Sequence, residues 1–110
     1  MGIFSRKKKV VEPKVTFESD LENNLNGIEL EKSGNIDQAI QLYEKNIKHR
    51  FQGNHPYDRL AIIYRKRKDS VNEKRVLEIA IDVFTNDVPK SRPDRLKKLN
   101  RFKDRLAKIK

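Results

Sequence analysis

From Ser19 to the end of the chain, apolar side chains recur every three or four residues, the period of a helix that buries one face. Ser19-Asp-Leu-Glu22 reads as a capping box, a hydroxyl for the orphan amides with a carboxylate three residues on. It predicts a first helix over about 20–33, with Leu21, Leu25, Ile28 and Leu30 inward and Gly34 supplying the left-handed stop. Asn35 caps a second helix, about 36–50, carrying Ile36, Ala39, Ile40, Tyr43 and Ile47. A loop at 52–55 leads to Pro56 in the first turn of a third helix, about 56–67, with Tyr57, Leu60, Ala61 and Tyr64 inward. Ser70-Val-Asn-Glu73 opens a fourth, about 71–85, with Val76, Leu77, Ala80, Ile81 and Phe84 on its buried face. Ser91-Arg-Pro-Asp94 opens a fifth, about 93–108, with Leu96, Leu99, Phe102 (or the methylenes of Lys103), Leu106 and Ile109 on one stripe. Residues 1–17 show no period, and Pro13 blocks a helix there, so they read as a flexible basic tail. Short turns between helices imply antiparallel neighbours, and the fold class expected is all-α.

Sliding the chain on itself exposes a repeat. At an offset of 34 residues Gly27 falls on Ala61, Ile28 on Ile62, Leu30 on Tyr64, Leu42 on Val76, Tyr43 on Leu77 and Ile47 on Ile81. A helix-turn-helix at that period is the tetratricopeptide signature, and the residues resemble that family too. Its pattern runs roughly W-x2-L-G-x2-Y and then A-x3-F; Tyr57-x2-Leu60-Ala61-x2-Tyr64 matches the first part and Ala39-x3-Tyr43 the second. Departures are Asn23 and Asn26 where large apolar residues are usual, and Lys68 and Glu73 in place of the turn Gly and the small Ala, which predicts a second turn that is longer or shifted. The resemblance covers about residues 20–88. It divides a domain over 18–110 into repeat one (about 20–53), repeat two (about 54–88) and a capping helix (about 93–108). An unrelated five-helix bundle with a chance period would keep the fold class. Because such stacks normally need about three units, the fifth helix should be essential to folding, or the chain should self-associate or lean on a partner.

Composition narrows the function classes. With 35% hydrophobic and 38% charged residues among 110, the chain can bury only a thin core. Having no cysteine, it has no disulfide, thiolate zinc site or thiol nucleophile, and it suits a reducing cytoplasm. No apolar run approaches the roughly 20 residues of a membrane span. The start MGIFSRKKKVV lacks the apolar stretch a secretory signal carries after its charges, and Arg6 stands where N-myristoylation wants Ser or Thr, so neither export nor lipidation is expected. The net charge of +10 is uneven: +4 over residues 1–17, −3 over 18–51, +1 over 52–88 and +8 over 89–110. A basic end can hold a polyanion without the middle taking part.

Candidate chemistry is sparse. His49 and His55 have no His, Asp or Glu at metal-ligand spacing and read as surface histidines. The acids Glu29/Glu31, Glu18/Asp20/Glu22 and Asp82/Asp87 lack a companion nucleophile and read as solvated or helix-start charges. Neither a Gly-rich phosphate loop nor a Ser-His-Asp set is present, so no enzyme, metal or cofactor is expected. The run Arg65-Lys66-Arg67-Lys68 suits a helix C-terminus. The resemblance offers it a second role, since tetratricopeptide arrays commonly hold a peptide on the concave face of their first helices, in some members clamping its terminal carboxylate. By the repeat register the partner-binding candidates are Asn24 and Ile28 in unit one, Arg59, Ile62 and Lys66 in unit two, and Lys97 and Arg101 on the fifth helix. The expectation is thus an adaptor for a protein or peptide partner, acidic in character. The alternative is a basic protein that binds nucleic acid non-specifically through its C-terminal helix and N-terminal tail. The C-terminal amphipathic helix also reads as a plain closing helix or an anionic-membrane contact, and Ile3-Phe4 beside Arg6–Lys9 as a weak membrane touch.

Overall fold

Thr16 caps the first helix: its side chain accepts from the Ser19 backbone N–H at 3.0 Å while Ser19 Oγ accepts from the Thr16 N–H at 3.3 Å. This capping box lies three residues upstream of the predicted one, and helix α1 runs Phe17–Lys32. A computed structural model describes residues 16–109, so the predicted tail lies outside the described residues except for Thr16 and Phe17. Then follow α2 (Ile36–Lys48), α3 (His55–Lys66), α4 (Ser70–Asn86) and α5 (Arg95–Ala107); all regular structure among the described residues is helical. At α4 the cap is Asp69, not Ser70: its carboxylate accepts from the Asn72 N–H at 3.1 Å. At α5 it is Asp94, not Ser91, and Asp94 makes no side-chain capping bond. In each case an acid one to three residues from the predicted serine takes the extra-helical position.

Each helix packs on the next along the chain, giving two antiparallel hairpins in series and a closing helix, with α2 and α4 meeting only lightly. The hairpin turns are copies of each other. Asn35 N–H bonds Leu30 O at 2.8 Å and Gly34 N–H bonds Glu31 O at 3.1 Å; 34 residues on, Asp69 N–H bonds Tyr64 O at 2.9 Å and Lys68 N–H bonds Arg65 O at 3.0 Å. The second turn is therefore neither longer nor shifted. Lys68 adopts the left-handed conformation of Gly34 (φ 60° against 84°) despite its Cβ.

The apolar core runs from Ala39, Tyr43 and Ile47 of α2 through the second hairpin to α5. Tyr57, Phe84 and Phe102 meet edge to face with centroids 5.3–6.4 Å apart, and Leu60, Val76, Leu77, Ala80 and Val83 are buried around them. Arg95, itself buried, turns its guanidinium onto the orphan carbonyls ending α4, Phe84 O at 2.8 Å and Thr85 O at 3.2 Å. Leu96, predicted inward, is exposed, because Arg95 takes the inward position beside it.

The seam between α1 and α2 is polar. Leu21 and Leu25, predicted inward, are exposed; Asp20, Asn24 and Gly27 are buried instead. Asn46, fully buried on α2, donates to Asp20 O at 2.7 Å and Asn24 Oδ1 at 2.8 Å and accepts from Asn23 at 3.1 Å. His49 Nδ1 lies 2.9 Å from Asp20 Oδ1. Gly27 lets the Tyr43 ring press against the α1 backbone, and the Tyr43 hydroxyl donates to Glu31 at 2.6 Å. Asn26, on the register of fully buried Leu60, is exposed, since among the described residues no helix stacks on that side of α1. Asn26 thus lies at the open end of the helical stack, whereas Asn23 turns into the α1–α2 seam.

Candidate partner-binding cleft

The first-helix candidates do not converge. Asn24 is buried and consumed by Asn46, so it cannot face a partner. Arg59 is locked to Glu31 by two bonds, Nε–Oε2 at 3.1 Å and Nη2–Oε1 at 2.6 Å, which tie α3 to α1. Burial alone would raise the Glu31 pKa, but the Arg59 and Tyr43 hydrogen bonds outweigh it and hold the carboxyl below its ordinary range. Arg101 is paired with Asp58 at 2.8 Å, and Arg105 reaches the same carboxylate at 3.3 Å. Both arginines expected to meet a partner's acid therefore already have an acid of their own.

Ile28 and Ile62 line separate hollows. Ile28 borders one of about 350 Å³ between α1 and α3, with Glu31, Lys32, His55 and Arg59. His55 stands edge-on to Tyr43 at 5.4 Å, and its buried Nε2 has no partner among the described residues. Burial, then the nearby Arg59 charge, pushes its pKa down, which keeps the imidazole neutral. Ile62 borders a slot of about 60 Å³ beside Ala61 and Glu73. Lys66 and Lys97 are exposed, on different helices, and make no ion pair among the described residues.

A roomier hollow than either lies on the other face, where α2 and α4 run side by side without closing. It holds about 550 Å³, within the range of ligand clefts. Ile47, buried, and Ile79, half-buried, form its floor; Gln41, Lys45 and Lys48 of α2 and Arg75 of α4 form its rim. Glu44 also borders it, but its carboxylate is taken up by Arg75 and the Tyr64 hydroxyl. The same contacts perturb both partners: the Glu44 hydrogen bond raises the Arg75 pKa, and burial, then Glu44, raises that of the Tyr64 phenol. With that pair internally neutral, the rim keeps the charge of Lys45 and Lys48, neither of which meets a carboxylate among the described residues. The arrangement is an apolar floor under an unneutralised basic rim. Sequence reasoning passed over it, although the offset of 34 carried the signal by laying Gln41 on Arg75 and Lys45 on Ile79, one face of consecutive second helices.

Among the described residues no three His, Cys, Asp or Glu side chains gather as metal ligands would, and no helix is long and apolar enough to cross a membrane. No family model, curated protein or solved structure matches this chain.

Proposed function

We propose that the chain is a non-catalytic protein-interaction module, two tetratricopeptide-like hairpins and a closing helix, that holds an acidic segment of a partner protein in the α2–α4 cleft. The observation that carries this reading is the cleft's composition: Ile47 and Ile79 beneath Lys45 and Lys48, with Glu44 already engaged. An apolar side chain of the partner fills the floor and flanking carboxylates meet the ammonium groups. The family resemblance is supported by turn hydrogen bonds that recur at the 34-residue offset. The first-helix face suits an acidic partner less well, because Arg59 and Arg101 are neutralised there. A cytoplasmic setting rests on the absence of cysteine alone.

One observation favours the second reading, nucleic acid. The ends of α3, α4 and α5 bring Arg65, Arg105 and Lys108 around one hollow of about 190 Å³. Phosphate binding of that kind would weaken steeply with salt. Glu73 in the same hollow and the Arg105–Asp58 pair temper that charge.

Selection of displayed random peptides on the intact protein tests the first reading. The peptides recovered should share an apolar residue flanked by Asp or Glu. Lys45→Glu and Lys48→Glu should each weaken them about tenfold, given exposed pairs worth up to about 1 kcal/mol and a new repulsion of similar size. Lys97→Glu should leave them unchanged. Peptides without acids, or indifferent to Lys45 and Lys48, would refute the cleft. A parallel titration with a mixed-sequence oligonucleotide at two salt concentrations tests the second reading.

A further inference from the structure

The two ends of the helical stack carry faces that no other helix covers among the described residues, and these faces are opposite in charge. At one end is α1, which packs on α2 and whose outward side meets no helix among the described residues. That side shows Leu21 at 42% and Leu25 at 58% exposed, while Phe17 at its edge stacks one ring face on Phe51 at 5.5 Å. Around them stand Glu18 and Glu22, without cationic partners among the described residues, and Glu29, which reaches only Lys32 at 3.5 Å. At the other end is α5, which buries Arg95, Leu99 and Phe102. Its outward flank shows Leu96 at 60% exposed, with Lys103 and Ala107 beside it and Lys97 and Asp104 further round, and neither lysine is paired among the described residues. As whole helices, α1 carries five acidic residues and one basic, and α5 six basic and one acidic.

We propose that copies of this chain associate head to tail, the outward face of α1 in one copy seated on the outward face of α5 in the next. Charge decides the geometry. A two-fold contact of α1 on α1 would bring glutamates together, and α5 on α5 would bring lysines together, and like charges facing each other cost affinity. Only the unlike pairing lets Leu21 and Leu25 leave water against Leu96 while Glu18 and Glu22 meet Lys97 and Lys103. Stacked this way, a second copy supplies what a two-hairpin array lacks, a further helical layer at each end. The contact is heterologous, so it extends into open chains or closes as a ring rather than stopping at a dimer. It is modest in apolar content and largely electrostatic, so it weakens as salt shortens the screening length. It uses neither α2 nor the rim of the α2–α4 cleft, so its success or failure is independent of the proposed function.

Sedimentation velocity of the full chain tests this, in buffers of roughly 0.05 M and 0.5 M salt. The wild type should show a mass average that climbs with protein concentration at low salt and returns to the monomer value at high salt. Glu18→Lys with Glu22→Lys makes both end faces basic; Lys97→Glu with Lys103→Glu makes both acidic. Each double variant alone should stay monomeric, its association weakened at least tenfold, with the helical circular dichroism of the wild type. Mixed in equal amounts, the two variants should associate again, because each now offers the sign the other lacks. A wild type that stays monomeric at low salt and millimolar concentration overturns the proposal. So does association that persists in either variant alone, or a mixture that fails to restore it.

Discussion

Replacing Gly27 by Ala probes the close approach of α1 to the Tyr43 ring of α2. A Cβ built there would lie 2.5 Å from Tyr43 Cε1 and 2.7 Å from Cζ, inside any real carbon–carbon contact. The ring cannot easily give way, because Tyr43 is fully buried and its hydroxyl is held by Glu31 at 2.6 Å. Relief must come from α1 moving off α2, which stretches the Asn46 bonds to Asp20 and Asn24. Overpacking of this kind costs about 1–3 kcal/mol. Against it stands the better helix propensity of Ala, worth about 1 kcal/mol over Gly inside a helix. The net expectation is a loss of about 1–2 kcal/mol, read from urea unfolding, with amide exchange quickening first in α1. Shrinking the ring in Gly27→Ala/Tyr43→Leu should make the two changes couple favourably, the double variant being more stable than the sum of the single effects predicts. If Gly27→Ala alone raised stability, the helix-propensity term would be winning, and the close α1–α2 contact could not be as described.

Lys68→Gly should stabilise the fold by roughly 0.5–1 kcal/mol in the same unfolding assay, because it removes a Cβ from a left-handed residue (φ 60°) at some cost in chain entropy. Asn46→Ala should cost about 1–3 kcal/mol by leaving buried partners on α1 unpaired, and it should loosen α1 more than α4. Phe102→Ala removes one ring of the aromatic trio and should cost about 3–5 kcal/mol, with the cooperativity of melting reduced if α5 is the cap that the short array needs. His55 has its pKa lowered from 6.5 by burial and Arg59, so the unfolded chain takes up a proton that the folded chain refuses in the window below 6.5. Stability should therefore rise with pH up through that window, and in His55→Gln that part of the slope should disappear.

Much of the fold could be read from the sequence because its core follows helical periodicity. Tyr57, Leu60, Ala61, Tyr64, Val76, Leu77 and Phe84 fall on the faces their spacing assigns. The first helix misleads for a definite reason: its buried stripe is Asp20, Asn24 and Gly27, met by Asn46, His49 and the Tyr43 ring, so hydrophobic spacing selects Leu21 and Leu25 and turns the helix toward the wrong face. Capping was legible in kind but not in position, since Thr16, Asp69 and Asp94 stand close to serines that look as suitable. Ion pairing was not legible at all. Arg59 finds Glu31 across 28 residues and Arg101 finds Asp58 across 43, and no local pattern announces partners so distant. The cleft was within reach, because the repeat that aligned the first helices aligned the second helices equally well.

The most direct measurement is a nitrogen-15 amide-shift titration of the intact protein with a selected acidic peptide, at two salt concentrations. The account predicts saturable shifts centred on Gln41, Lys45, Ile47, Lys48 and Ile79, with Ile28, Arg59 and α5 unmoved, and affinity that declines only moderately in higher salt because the apolar floor persists. Shifts gathered instead around Ile28, Arg59 and Ile62, or along α5 with a steep loss in salt, would contradict it and return the binding surface to the first helices or to the basic end.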